Sequence, residues 1–269
     1  MQSWKDFVRV AFIIASVFAA ILFARPPASA EVSAVRFTEG LARGFIILTD
    51  DRGKTIADGE SSQVIEKGNV TSHLVIRFRD GSFYEDRTVY SQNGVFRLIS
   101  DHAIQKGPSF RIDSDVRVDA NGGEVRVEST DSKGRKKTLT KKMELPADLA
   151  NGLIFTLVKD IDRRGPGATF SYLVASPQPR LVKLVFRPAG EDAFAAGEMR
   201  ERANHIVMSV VIGGIAGVVA PLIGKKPPDA DIWVLDDSAP SFAGFRGAFY
   251  PGGPVWTISL VSPRPLNPK

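Results

Sequence analysis

Between positions 32 and 143 the chain alternates apolar and polar side chains with a period of two, interrupted at intervals by residues that turn the backbone. The alternation is clearest within 74–78, 82–90, 116–118 and 125–127. The interruptions are Asp51-Arg52-Gly53, Asp80-Gly81, Asn93-Gly94, Gly107-Pro108, Asn121-Gly122-Gly123 and Asp131-Ser132-Lys133-Gly134. Asn-Gly and Asp-Gly pairs accept the positive φ that tight hairpin turns require. A period of two sends one face of each strand inward and the other toward water. Consecutive long antiparallel strands bury that single face by curling into a barrel or half-barrel, or by pairing with a second sheet. The expected fold class is therefore mainly β: a long antiparallel meander forming an open barrel or half-barrel, with one helix and an apolar loop packed on its concave face.

The period changes at 146–161, PADLANGLIFTLVKDI. Pro146 suits a first helical turn, and Leu149, Leu153, Leu157 and Ile161 recur at a spacing of four, which predicts an amphipathic helix. Arg163-Arg164-Gly165-Pro166-Gly167 stops it. A lone helix after a meander packs its stripe onto the sheet's apolar face or plugs the open mouth. Strands resume at 168–175 and 180–187. A polar connecting segment follows at 188–203, then strands at 232–235, 242–250 and 255–261, and a frayed tail over 263–269.

The run 206–224, IVMSVVIGGIAGVVAPLIG, is the longest apolar stretch beyond the N-terminal region. Three readings fit it. A membrane helix needs about 20 apolar residues, and Gly213 and Gly217 have the small-xxx-small spacing of membrane helix pairs. Gly213, Gly214, Gly217 and Pro221 are poor helix-interior residues in water, although membrane helices tolerate them better. The β-branched stretch 206–212 followed by Gly-Gly instead suits a buried strand that runs into an irregular apolar loop. Third, such a loop can lie against a ligand or a membrane surface. In the strand-and-loop reading, Ile212, Ile215, Val218, Val219, Leu222 and Ile223 are the expected ligand contacts, joined by Leu153 and Leu157 from the helix. Residues 213–224 are then the expected point of membrane contact.

At the N-terminus Lys5 and Arg9 precede an apolar core at 10–23, and Ala28-Ser29-Ala30 closes it with a small-x-small cleavage pattern. That is a secretory signal peptide over 1–30, with an uncleaved anchor as the alternative. The expected layout is a signal peptide 1–30, one β-rich domain 31–262, and the tail. The net charge of +5 moves closer to balance once the leader is removed, so no nucleic-acid partner is implied. The chain has no cysteine, which excludes disulfides, a lipid-modified cysteine, thiolate catalysis and cysteine zinc sites. An exported chain of this kind fits the bacterial envelope, as a periplasmic or extracellular protein.

Candidate chemistry is sparse. There is no G-x-S-x-G elbow, H-E-x-x-H helix, P-loop or calcium loop. His73, His102 and His205 fall on separate predicted strands, so structural roles are expected rather than a metal site. Asp80, Glu85 and Asp86 are the acids that could serve a hydrolase, which needs two carboxyl groups about 5–9.5 Å apart in one cleft. Lys133, Arg135, Lys136, Lys137, Lys141 and Lys142 form a basic cluster around a hairpin turn. Arg135, Lys136, Lys137, Lys141 and Lys142 could meet anionic headgroups. The plainer reading is a solvated hairpin whose charges discourage edge-to-edge pairing. No aromatics interleave with the cluster, which argues against nucleic acid.

The stretches Phe78-Arg79-Asp80-Gly81-Ser82, Gln105-Lys106-Gly107-Pro108-Ser109-Phe110, Pro179-Arg180-Leu181-Val182-Lys183-Leu184 and 213–229 resemble those of an uncharacterised family of secreted bacterial proteins. The resemblance covers nearly all of the mature chain. It implies no known activity, no catalytic residue and no cofactor. The order of strands, one helix and more strands is also similar in outline to the periplasmic lipoprotein-carrier half-barrel. That architecture implies an apolar cup for acyl chains, covered here by 146–161 and 214–224. The expected function is a non-catalytic envelope protein that binds a lipid or another hydrophobic ligand. The alternatives are a structural protein that meets an envelope protein along a strand edge or the basic hairpin, and a hydrolase of envelope polymers.

Overall fold

A computed structural model of the chain describes residues 34–175, 178–196, 199–211, 227–235 and 239–265, and in it the alternating stretches become strands of one antiparallel sheet. The first eight are β1 (Ala42–Thr49), β2 (Thr55–Glu66), β3 (Asn69–Phe78), β4 (Phe83–Ser91), β5 (Arg97–Lys106), β6 (Asp113–Asp119), β7 (Glu124–Thr130) and β8 (Lys136–Lys142). The last six are β9 (Ala168–Val174), β10 (Arg180–Ala196), β11 (Met199–Val211), β12 (Ala230–Leu235), β13 (Ser241–Ala248) and β14 (Val255–Pro265). Their order is β8-β7-β6-β5-β4-β3-β2-β1-β14-β13-β12-β11-β10-β9. Each strand therefore lies beside its neighbour in sequence, except that β1 pairs with β14 and that β8 and β9 stand at the two free edges. Among the described residues the fold is a fourteen-stranded open sheet with one short helix, mainly β as the alternation predicts.

The six predicted turns each fall between strands. A seventh, between β2 and β3, carried no recognised signal. Lys67 (φ 51°) and Gly68 (φ 81°) form it, and both take the positive φ of a type I′ hairpin. Lysine is an unusual occupant of that conformation, which is why the pair does not read as a turn.

Register fixes which side chains share a face. Ile46 lies opposite Gly59, Gly59 opposite Ile76, and Ile76 opposite Tyr84. On the other half, Ile206 lies opposite Ile232, and Ile232 opposite Phe245. These inward positions form one hydrophobic cluster across both halves of the sheet. The outward positions of β4 to β7 carry the row Arg87, His102, Arg117, Arg126. An apolar interior beneath a charged exterior is the reverse of a membrane-spanning barrel, whose apolar side faces lipid. No described helix is long and apolar enough to cross a membrane.

Three elements differ from the sequence reading. The expected helix over 146–161 is one α-helical turn, α1 (Ile154–Leu157), continued by a 3-10 turn at Val158–Asp160. Gly152 adopts φ 64° and ends any regular helix before it starts. The four-residue stripe still forms core, with Leu149, Leu153, Leu157 and Ile161 all buried. The polar segment 188–203 is not a connection: β10 and β11 continue through it as a long hairpin, with a register shift between Pro188 and Gly190. Residues 263–265 of the expected frayed tail are strand, because β14 stays paired with β1 to Pro265; 266–269 lie outside the described residues.

The first six residues of the 206–224 run belong to β11, paired to β10 and β12, so no membrane helix begins at Ile206. Ile212, Ile215, Val218, Val219, Leu222 and Ile223 lie outside the described residues, as does the signal peptide 1–30.

Candidate functional site

The segment between β8 and β9 builds the site's floor. It first runs along the free edge of β9, where Leu149 forms a parallel bridge with Ser171. Asn151 continues the imitation of a strand: its Oδ1 accepts from the Leu173 N–H (2.8 Å), and its Nδ2 donates to the Leu173 carbonyl (3.0 Å). Asp148 accepts from the Ser171 hydroxyl at 2.7 Å and from Lys183 at 3.1 Å. At Gly152 the chain turns inward and rests on β4 and β5. A Cβ built there would sit 1.9 Å from Thr88 Oγ1, so only glycine allows the approach. The N-terminal residues 34–41 lie over the far side of this segment. Asp160 accepts from the Phe37 N–H (2.9 Å), and half-buried Lys159 forms an ion pair with buried Glu39.

Above this floor is a cavity of about 720 Å³. Its wall is mostly apolar and aromatic, including Leu74, Phe155, Phe242, Phe245, Phe249 and Leu260. The rings hold one another in place: Phe155 and Phe242 lie 4.1 Å apart, and Tyr84 and Phe249 5.2 Å apart. Past them, Phe78, Phe110, Tyr250 and Trp256 pack as a plug, and the Tyr250 hydroxyl ties the β13–β14 turn to the Ser109 carbonyl at 3.0 Å.

One patch of wall is polar. Thr88 Oγ1 lies 2.9 Å from Asp86 Oδ1 and 3.2 Å from Asp101 Oδ1, and the Tyr84 hydroxyl donates to Asp86 Oδ2 at 3.1 Å. Asp101 is fully buried, whereas Asp86 is half-buried and faces the cavity. Burial raises the pKa of both carboxyls, and the charge of Asp86 pushes Asp101 further, well above the ordinary aspartate range. A proton therefore stays shared between them at pH values where a free aspartate has lost its own. Burial likewise raises the Tyr84 and Tyr172 hydroxyls, so both remain neutral donors.

The sequence-derived candidates are placed as follows. Leu153 and Leu157 are buried in the core, and the cavity wall is made by their neighbours Ile154, Phe155 and Thr156. Asp80, Glu85 and Asp86 do not converge. Asp80 orders the β3–β4 turn through the Ser82 N–H (2.8 Å) and the Ser109 hydroxyl (2.7 Å), while Glu85 points outward to His73 (2.7 Å). That dispersal removes the hydrolase in the form the sequence suggested. The partner of Asp86 is Asp101, which the sequence reading missed; a register shift between Val89 and Tyr90 turns it inward, and no pattern within its own strand marks it. The histidines pair separately with carboxylates on the outer face, His102 with Asp115 (2.9 Å) and His205 with Asp231 (2.8 Å). Among the described residues no cluster of three metal-binding side chains forms. Lys136, Lys137, Lys141 and Lys142 are exposed on the edge strand β8, and Arg135 is tied to Asp131 in the turn before it.

Fold and site together define an open antiparallel β-sheet curled around an apolar cavity. No protein-family model matches the chain, and no curated protein matches it. Among solved structures it is similar to the hypothetical lipoprotein YmcC from Escherichia coli K12. The two share 14% identity over 93% of this chain and 96% of that one, with a TM-score of 0.38.

Proposed function

We propose that this chain is a non-catalytic protein of the bacterial envelope that binds a lipid or similar hydrophobic ligand inside its open sheet. The cavity carries the reading. Protein interiors are close-packed, with few voids larger than a water molecule. A space of about 720 Å³ is instead the size of ligand sites, which run roughly 300–1,000 Å³ and are lined mainly by apolar and aromatic groups. Each methylene moved from water into such a wall contributes about 0.8 kcal/mol, so an acyl chain gains strongly by entering. Val210, within the 206–224 run, and Ala230, on the strand that follows it, contribute to the same wall, which supports the expectation that this part of the chain meets the ligand. The envelope location rests on the leader-like N-terminus.

Native mass spectrometry of protein purified without detergent is expected to find a co-purifying lipid. Leu74→Trp, which fills the cavity from β3, is expected to lower bound lipid about tenfold or more while the protein stays folded. Absence of bound lipid, together with no uptake of an added acyl probe, would end the proposal.

A further inference from the structure

We propose that Arg180 holds the headgroup of the cavity's ligand, which is then an acyl chain ending in a carboxylate or a phosphate. This rests on the ligand-binding reading above and specifies what it binds. Three basic side chains line the cavity among the described residues: Arg43, Lys159 and Arg180. Arg43 is bonded to Glu60 at 2.6 Å and Lys159 is paired with Glu39. Arg180 has no carboxylate partner among the described residues, and its Nε is shielded from solvent without any acceptor. A guanidinium carries five donors in a planar fork that suits carboxylate and phosphate oxygens, and a buried donor left unmade is costly.

The charged groups lining the cavity among the described residues are few, and most have partners. The cavity-lining acids among the described residues are Glu39, neutralised by Lys159, and Asp86, which shares a proton with Asp101. Sharing one proton leaves that pair a single negative charge, held by the Thr88 and Tyr84 hydroxyls, and the described wall's unpaired positive charge is at Arg180. The strand also supplies a track for the tail. Arg180 begins β10 opposite Val174, and the next inward positions, Val182 and Leu184, are apolar, with Val210 of β11 beside Leu184. A headgroup at Arg180 leaves its chain lying along these side chains.

The test compares three probes of equal chain length on delipidated protein: palmitate, monohexadecyl phosphate and the uncharged hexadecanol. At least one anionic probe is expected to bind about tenfold or more tightly than hexadecanol, the size of one charge-assisted contact. Arg180→Gln should abolish that preference and leave hexadecanol binding unchanged. Arg180→Lys, which keeps the charge, should retain part of it, and thermal melts confirm that both variants are folded. Whichever anion loses more affinity in Arg180→Gln identifies the headgroup. Equal binding of all three probes by the wild-type protein, or a preference that survives in Arg180→Gln, overturns the assignment of Arg180 alone. If none of the three binds, the ligand-binding reading itself falls and takes this assignment with it.

Discussion

Asp101 is a carboxyl group buried on the inner face of β5, and its neighbours explain how it is tolerated. Thr88 bridges it to Asp86, the Gly152 backbone seals it, and the shared proton spares the pair a second buried charge. This has a definite consequence for stability. A carboxyl whose pKa is raised by folding binds its proton more tightly in the native state, so the native state is favoured at low pH. That contribution is fully present below the unfolded aspartate value, about 3.9, and is lost as pH rises through the folded value. Asp101→Asn removes the titration while preserving shape and a hydrogen-bond donor. Melting temperatures measured from pH 4 upward should show the variant gaining on the wild type steadily as pH increases. Parallel curves would mean that the pair does not hold its proton. At this scale the sequence was half legible: Asp86 stood out as an acid beside an acid, but a single strand cannot reveal which residue of the next strand it will face.

The two edge strands protect themselves by different means. β9 is covered by a piece of chain whose side chains act as backbone. Asn151 satisfies both exposed groups of Leu173, and the Ala150 N–H donates to the Ser171 carbonyl at 2.8 Å. Asn151→Ala leaves two buried backbone groups without partners and should cost about 1–3 kcal/mol, read as a lower urea midpoint at unchanged slope. β8 has no such cover among the described residues and relies on charge: its inward positions Lys137 and Lys141 flank Leu139, and both lysines are exposed. Replacing both with Val converts it to an apolar edge, and size-exclusion chromatography should then show oligomers that the parent protein does not form. An unchanged elution volume would count against this role. The basic cluster was legible as a sequence feature, and its lysines Lys136, Lys137, Lys141 and Lys142 are exposed on the edge strand β8. The β9 cover was not legible, since Asp148 and Asn151 looked like ordinary polar residues on a long helix.

Across the whole molecule, the pairing of β1 with β14 joins the two halves of the sheet side by side. It makes the interior continuous from β8 to β9 and leaves one gap, spanned by the segment that carries α1. Because β1 and β14 lie near opposite ends of the described chain, this pairing closes a long loop and is expected to form late in folding. Among the described residues, the inner face of the sheet meets α1 and the N-terminal residues 34–41 and leaves a cavity of about 720 Å³ beside them.

The β meander, the positions of most turns, the apolar stripe Leu149, Leu153, Leu157 and Ile161, and the absence of thiol chemistry followed from the sequence alone. These depend on local rules: a period of two or four, the φ preferences of Gly and Asn, and residue type. The union of β1 with β14, the partnership of Asp86 with Asp101, the cover over the β9 edge and the exposure of Arg180 to a cavity were decided only by tertiary structure. Each depends on contacts between residues distant in the chain, whose formation rests on register and on the space left after packing, and neither is written in any single stretch.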